Sequence, residues 1–127
     1  MCRILIVTDD EFLRDLLVAV LTDGKTEVRL ARDGLEMREA CRRVAFDVVI
    51  LTRVGEYLKG GKLMRGIRSE RMGQASVCVV SWQQADETVS CMIDAGVDRF
   101  VSLPMNFNQL RRAICDDVND VWDEYYR

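Results

Sequence analysis

Residues 4–7 form an unbroken apolar run, Ile-Leu-Ile-Val. From Glu11 the pattern changes, with apolar side chains at 12, 13, 16, 17, 20 and 21. The first segment reads as a buried strand and the second as an amphipathic helix. Residues 26–31 alternate more weakly, as in a strand nearer a sheet edge. Residues 34–44 return to helical spacing through Leu35, Met37, Cys41 and Val44. Asp47 then leads into Val48, Val49, Ile50 and Leu51, the strongest buried strand in the chain. A loop with Gly55, Gly60 and Gly61 precedes a helix through Leu63, Met64 and Ile67. A fourth strand is predicted at 77–80, and a fourth helix at 87–95 closed by Gly96. A fifth strand at 99–103 is stopped by Pro104, and a last helix runs from Phe107 to about Trp122.

Five strands alternating with five helices predict a parallel sheet covered on both faces. No linker, repeat or low-complexity run interrupts the alternation, so residues 1–127 read as one doubly wound α/β domain. Ligands of such sheets sit beyond the carboxyl ends of the strands. The loops after strands one, three, four and five are therefore the places to search.

Composition narrows the chemistry. The 127 residues are 49% hydrophobic and 31% charged, a globular balance with enough chain to bury a core without staples. A net charge of −3 argues against a broad nucleic-acid footprint. There is no histidine, which excludes Ser-His and Cys-His nucleophile pairs, histidine metal ligands and phosphohistidine within the chain. Cys2, Cys41, Cys78, Cys91 and Cys115 are scattered without a C-x-x-C pair and read as reduced thiols. The amino-terminal apolar stretch is too short for a signal peptide or membrane span, so a cytoplasmic protein is expected.

At the strand ends the chain resembles a response-regulator receiver domain, of the CheY-like, flavodoxin-like (βα)5 class with three α/β/α layers. The resemblance rests on ILIVTDDEFLRDLL, FDVVILT, VVS and DAGVDRFVSLP, and covers essentially the whole chain. It places Thr8 and Asp9 on the family's acidic pair, a register kept by Leu13, Leu16 and Leu17. It places Thr52, 43 residues after Asp9, on the phosphoacceptor aspartate. Ser81 falls on the switch hydroxyl, Phe100 on the switch aromatic, and Leu103 on the active-site lysine. Family receivers move a phosphoryl group from a kinase's phosphohistidine to that aspartate, with Mg²⁺ held by the acidic residues.

Thr8, Thr52 and Leu103 break this pattern. Phosphoryl transfer depends on positioned charge; threonine cannot form an acyl phosphate, and its hydroxyl needs an activating base. With the acceptor carboxylate gone, a lysine there would be a poorly compensated charge, which leucine avoids. The resemblance thus implies a degenerate pseudo-receiver that is not an enzyme. No cofactor is expected beyond weak Mg²⁺ binding, with Asp9 and Asp10 as candidate ligands. Asp10 and Glu11 also suit the first turn of a helix, Asp10 as its N-cap. Asp47 lies at the wrong end of strand three to replace the acceptor. Trp82 is expected to crowd the pocket mouth, where the family has a small residue.

In receivers, the fourth helix, fifth strand and last helix form the usual partner and dimer face. Here that implies Arg99, Phe100, Arg111, Arg112 and Trp122, although the charged row with Asp116, Asp117 and Asp120 also fits a solvated helix face. The aromatic tail, 121–127, fits an interface, a cap on the core or the start of a linker. The expected function is a phosphorylation-independent two-component signalling module. Its partners would be a signalling kinase, receiver or output protein, or a second copy, with no nucleic acid or membrane. The alternatives are a phosphoacceptor receiver using Asp9 or Asp10, and a small-molecule-binding protein of the same fold.

Overall fold

In a computed structural model the described residues are 2–52, 75–82, 86–94, 96–104 and 106–119. They form strands β1 (Cys2–Val7), β2 (Thr26–Ala31), β3 (Val48–Leu51), β4 (Ser76–Trp82) and β5 (Arg99–Leu103). The helices are α1 (Glu11–Leu21), α2 (Gly34–Arg43), α3 (Asp86–Asp94) and α4 (Phe107–Asn119). The helix predicted through Leu63, Met64 and Ile67 and the tail 121–127 lie outside the described residues. Thus α3 and α4 are the fourth and fifth predicted helices.

All four strand pairings are parallel, in the order β2-β1-β3-β4-β5. The weakly alternating β2 sits at an edge, where one face of each residue can meet water. Strand periodicity then separates two cores. Ile4, Ile6, Val48, Ile50, Cys78, Val80, Val101 and Leu103 pack with Leu13, Leu17 and Val20 of α1 and with Leu110 and Ile114 of α4. Their neighbours Leu5, Val7, Val49, Leu51, Val77 and Val79 pack with Met37 and Cys41 of α2 and with Met92 of α3. Because both faces are covered, the central strands read as continuous apolar runs.

Local signals set the helix ends. Asp10 and Asp33 cap α1 and α2, accepting from the amides of Leu13 at 3.0 Å and Glu36 at 2.9 Å. Asn106 and Gln109 exchange side-chain-to-backbone bonds at the start of α4, a reciprocal capping box. After α3, Gly96 takes φ 103°. Its amide bonds Ile93 O and the Val97 amide bonds Met92 O, a left-handed closure that glycine adopts without a Cβ clash.

β1 is flanked by β2 and β3, so the strand order reverses beside it: β2 lies on one side and β3 to β5 follow on the other. Such a reversal of strand order opens a crevice at the carboxyl ends. The register Val7↔Leu51 then sets the next residues, Thr8 and Thr52, side by side.

Candidate functional site

The buried polar residues among those described are Thr8, Thr52 and Ser81, each 6–7% exposed. All three lie at the carboxyl ends of the adjacent strands β1, β3 and β4. The Thr52 hydroxyl donates to Thr8 Oγ1 at 2.6 Å, and the Asp10 amide donates to the same oxygen at 3.0 Å. No buried side-chain polar atom among the described residues lacks a partner. Buried polar groups are tolerated when satisfied in this way. Here the Thr8 hydroxyl oxygen accepts from both a second hydroxyl and a backbone amide.

Beside this pair opens a cleft of about 480 Å³, lined by Asp9, Asp10, Glu11, Phe12, Leu13 and Thr52. Asp9, Asp10 and Glu11 are exposed at its rim, and the Asp10 carboxylate caps the Leu13 amide. Asp10→Ala is expected to cost about 1 kcal/mol of stability while Asp10→Asn costs a few tenths, because asparagine also caps. Urea unfolding of the two variants checks this.

Leu103 is 3% exposed and packed in the core between the sheet, α1 and α4. The position the resemblance assigns to a cation is therefore built as hydrocarbon. Trp82 extends β4 beyond the predicted strand end and pairs in register with Leu103. Trp82 is not among the described residues that line the cleft, but it stacks on Phe12, which is. The Trp82 ring is half exposed, and the two ring centroids are 6.3 Å apart with planes 22° apart. Phe12 departs from the predicted apolar stripe as well, being 63% exposed.

A magnesium ion calls for near-octahedral oxygen donors, usually with one or two carboxylates. The matched positions offer two neutral hydroxyls bonded to each other and one carboxylate, Asp9. Asp10 is engaged by the helix. This donor set offers one carboxylate where the family's pattern has three, so it fits such an ion poorly.

Asp47 accepts from the Arg3 amide through Oδ2 at 2.8 Å, at the amino end of the sheet. There, burial first and the Asp47 carboxylate second push the Cys2 thiol above its ordinary range. Phe100 is half-buried against the core beneath α2 and α3. Arg99 donates to Ala113 O. Arg111 turns toward α1, paired with Asp23 and reaching Val20 O at 3.5 Å. Arg112 is exposed, with Nε 3.4 Å from Asn108 O. Trp122 lies outside the described residues. All three arginines read as partner-facing thus bond within their own chain, Arg112 by a long contact from an exposed position. The missed element is the Phe12–Trp82 stack, whose partners are 70 residues apart and show no pairing signal in the sequence.

Known proteins share this architecture. A response regulator from Thermotoga maritima superposes with a TM-score of 0.82 at 18% identity, covering 94% of this chain and 99% of that one. The receiver domain of a sensor histidine kinase from Pseudomonas aeruginosa PAO1, solved with magnesium coordinated in its active-site cleft, gives 0.72 at 20% identity. That match covers 87% of this chain and 92% of that one. At these identities the likeness concerns the fold. In sequence, a protein-glutamate methylesterase/protein-glutamine glutaminase from Myxococcus xanthus is 32% identical over 104 residues, 80% of this chain and 30% of that protein. The chain spans 13% to 49% of the length of the curated relatives it matches. The response regulator receiver domain profile matches residues 4–115. With its parallel five-stranded sheet and with Thr8, Asp9, Thr52, Ser81 and Leu103 at the strand ends, the chain belongs to the response regulator receiver domain family.

Proposed function

We propose that this receiver domain signals by protein contact without being phosphorylated. The observation that supports it is the 2.6 Å Thr52–Thr8 hydroxyl bond, between the residues that the resemblance assigns to the acceptor carboxylate and one of the acidic pair. Leu103, buried in apolar packing, supplies no charge to a phosphoryl oxygen. The domain is read as non-enzymatic, with magnesium binding weak at most and confined to Asp9 and its neighbours. A cytoplasmic setting goes with this reading. Its partners are a kinase, receiver or output protein, or a second copy, met through α3, β5 and α4. On that face Phe100 and the exposed Arg112 are the contacts proposed first, with Arg99 and Arg111 bracing α4.

Intact mass after incubation with Mg²⁺ and acetyl phosphate tests the proposal. No phosphoryl adduct is expected, with hydroxylamine lability as the control for an acyl phosphate. A labile adduct would overturn it, and its loss in Asp9→Asn would identify Asp9 as the acceptor.

A further inference from the structure

We propose that the Phe12–Trp82 pair and the adjoining cleft bind an arginine side chain presented by a protein partner. Phe12 is 63% and Trp82 48% exposed, and the two stack on each other rather than lying scattered over the surface. Exposed aromatics gathered in one place mark interaction surfaces, where they form the anchors of binding. Phe12 is also a wall of the cleft, and the same wall carries the carboxylates of Asp9, Asp10 and Glu11. Among the described residues lining the cleft none is basic. Those three carboxylates alone equal the net charge of the entire chain, −3.

This combination selects its occupant. An anionic group meets three carboxylates, and a hydrocarbon meets a polar rim. A compact hard cation meets the carboxylates but gains nothing from a planar aromatic surface. A guanidinium matches both halves. Its planar face stacks on aromatic rings, and its N–H fork pairs with carboxylates. Leu103 adds to the match, because the cation that the family's own lysine would supply is replaced by buried hydrocarbon. The inference rests on reading this cleft as one that holds no phosphoryl group, and it gives the interaction module a second contact surface, on α1 and the end of β4.

The test is an NMR titration of the full chain, following the backbone amides of Asp9 and Leu13 in every variant and the Trp82 indole N–H where it is present, with a capped tetra-arginine peptide and no phosphodonor. A saturable shift is expected, weakened about five- to tenfold in Phe12→Ala and in Trp82→Ala. Glu11→Gln should weaken it about two- to threefold, and raising the salt should weaken it further. Tetra-citrulline, which keeps the shape and loses the charge, is expected not to bind. Spermidine and tetra-lysine should bind more weakly than the arginine peptide. No saturable shift overturns the proposal. So does equal binding of citrulline or spermidine, or binding that survives both aromatic substitutions. Phe12 and Trp82 are partly exposed, so both variants are expected to fold; Phe12→Leu, which keeps apolar area without an aromatic face, should bind like Phe12→Ala. The titration contains no phosphodonor, so its failure leaves the mass measurement above to stand separately.

Discussion

Thr52→Asp is expected to lower folding stability by about 2–4 kcal/mol at pH 7, the cost of placing an uncompensated carboxylate in a buried site. Thr52 is 7% exposed, its hydroxyl donates to Thr8, and it shares a cleft with Asp9. Burial and a like charge nearby both raise the pKa of a carboxyl group. The folded variant then holds a proton that the unfolded chain releases above about pH 4. Its stability therefore falls as pH rises from that point through the folded pKa, and the loss relative to wild type shrinks again near pH 4 to 5. Thr52→Asn, close in shape and uncharged, should lose less and show no such slope.

Magnesium provides the second arm of this experiment. Millimolar Mg²⁺ is expected to leave the wild-type melting temperature unchanged. In Thr8→Asp/Thr52→Asp it should stabilise by about 1.4 kcal/mol at tenfold excess over Kd, because the carboxylates are then restored together. Thermal unfolding with Mg²⁺ and with a chelator reads both. A Thr52→Asp variant as stable as wild type at pH 7 would show that the site already carries compensating positive charge, and the reading of an uncompensated site around the hydroxyl pair would fail.

The largest single effect is expected at Leu103. Leu103→Lys should cost about 3–5 kcal/mol, combining lost packing with an ammonium in an apolar environment. Domains of this kind have about 5–15 kcal/mol in total, so the variant sits near the edge of folding. Burial lowers the folded pKa of lysine, so the unfolded chain binds the proton more readily. Stability of the variant should therefore rise as pH is taken from 7 toward 10, opposite in sign to Thr52→Asp. In the double variant Thr52→Asp/Leu103→Lys the charges can pair, and a coupling of about 1–3 kcal/mol is expected with a flatter pH profile. Urea unfolding across the four members of the cycle measures it. Strict additivity would mean that the two positions do not face a common site.

The match between residues explains why the losses belong together. Once the acceptor is a hydroxyl, a carboxylate at position 8 has no ion to share, and a lysine at 103 has no counter-charge. The identities of Thr8, Thr52 and Leu103 carry that message only through the family resemblance, which assigns these positions to an acid, the acceptor and a lysine. Asp10 was legible too. An aspartate before an apolar helical repeat is an N-cap signal, and its carboxylate does accept the Leu13 amide.

Other features of the site were beyond sequence reasoning. Phe12 and Leu13 both fit a helical stripe, yet adjacent helical residues point about 100° apart. Leu13, Leu17 and Val20 take the sheet-facing side, which turns Phe12 outward. Trp82 extends β4 by registering with Leu103, and only that register carries its ring to Phe12. Arg111 reads as a surface charge on an amphipathic helix, but the packing of α4 beside α1 brings it to Asp23.

The sequence by itself determined the alternation of strands and helices, the Asp10 cap and the uncharged residue types at positions 8, 52 and 103. Those are local properties of residue type and spacing. The tertiary structure decided which groups meet. Thr8 and Thr52 are 44 residues apart, and their hydrogen bond exists because parallel pairing of β1 with β3 aligns Val7 with Leu51. Strand register is set by the whole core, with each face burying its own alternate residues. The hydroxyl pair, the open cleft and the aromatic stack at its mouth follow from that packing.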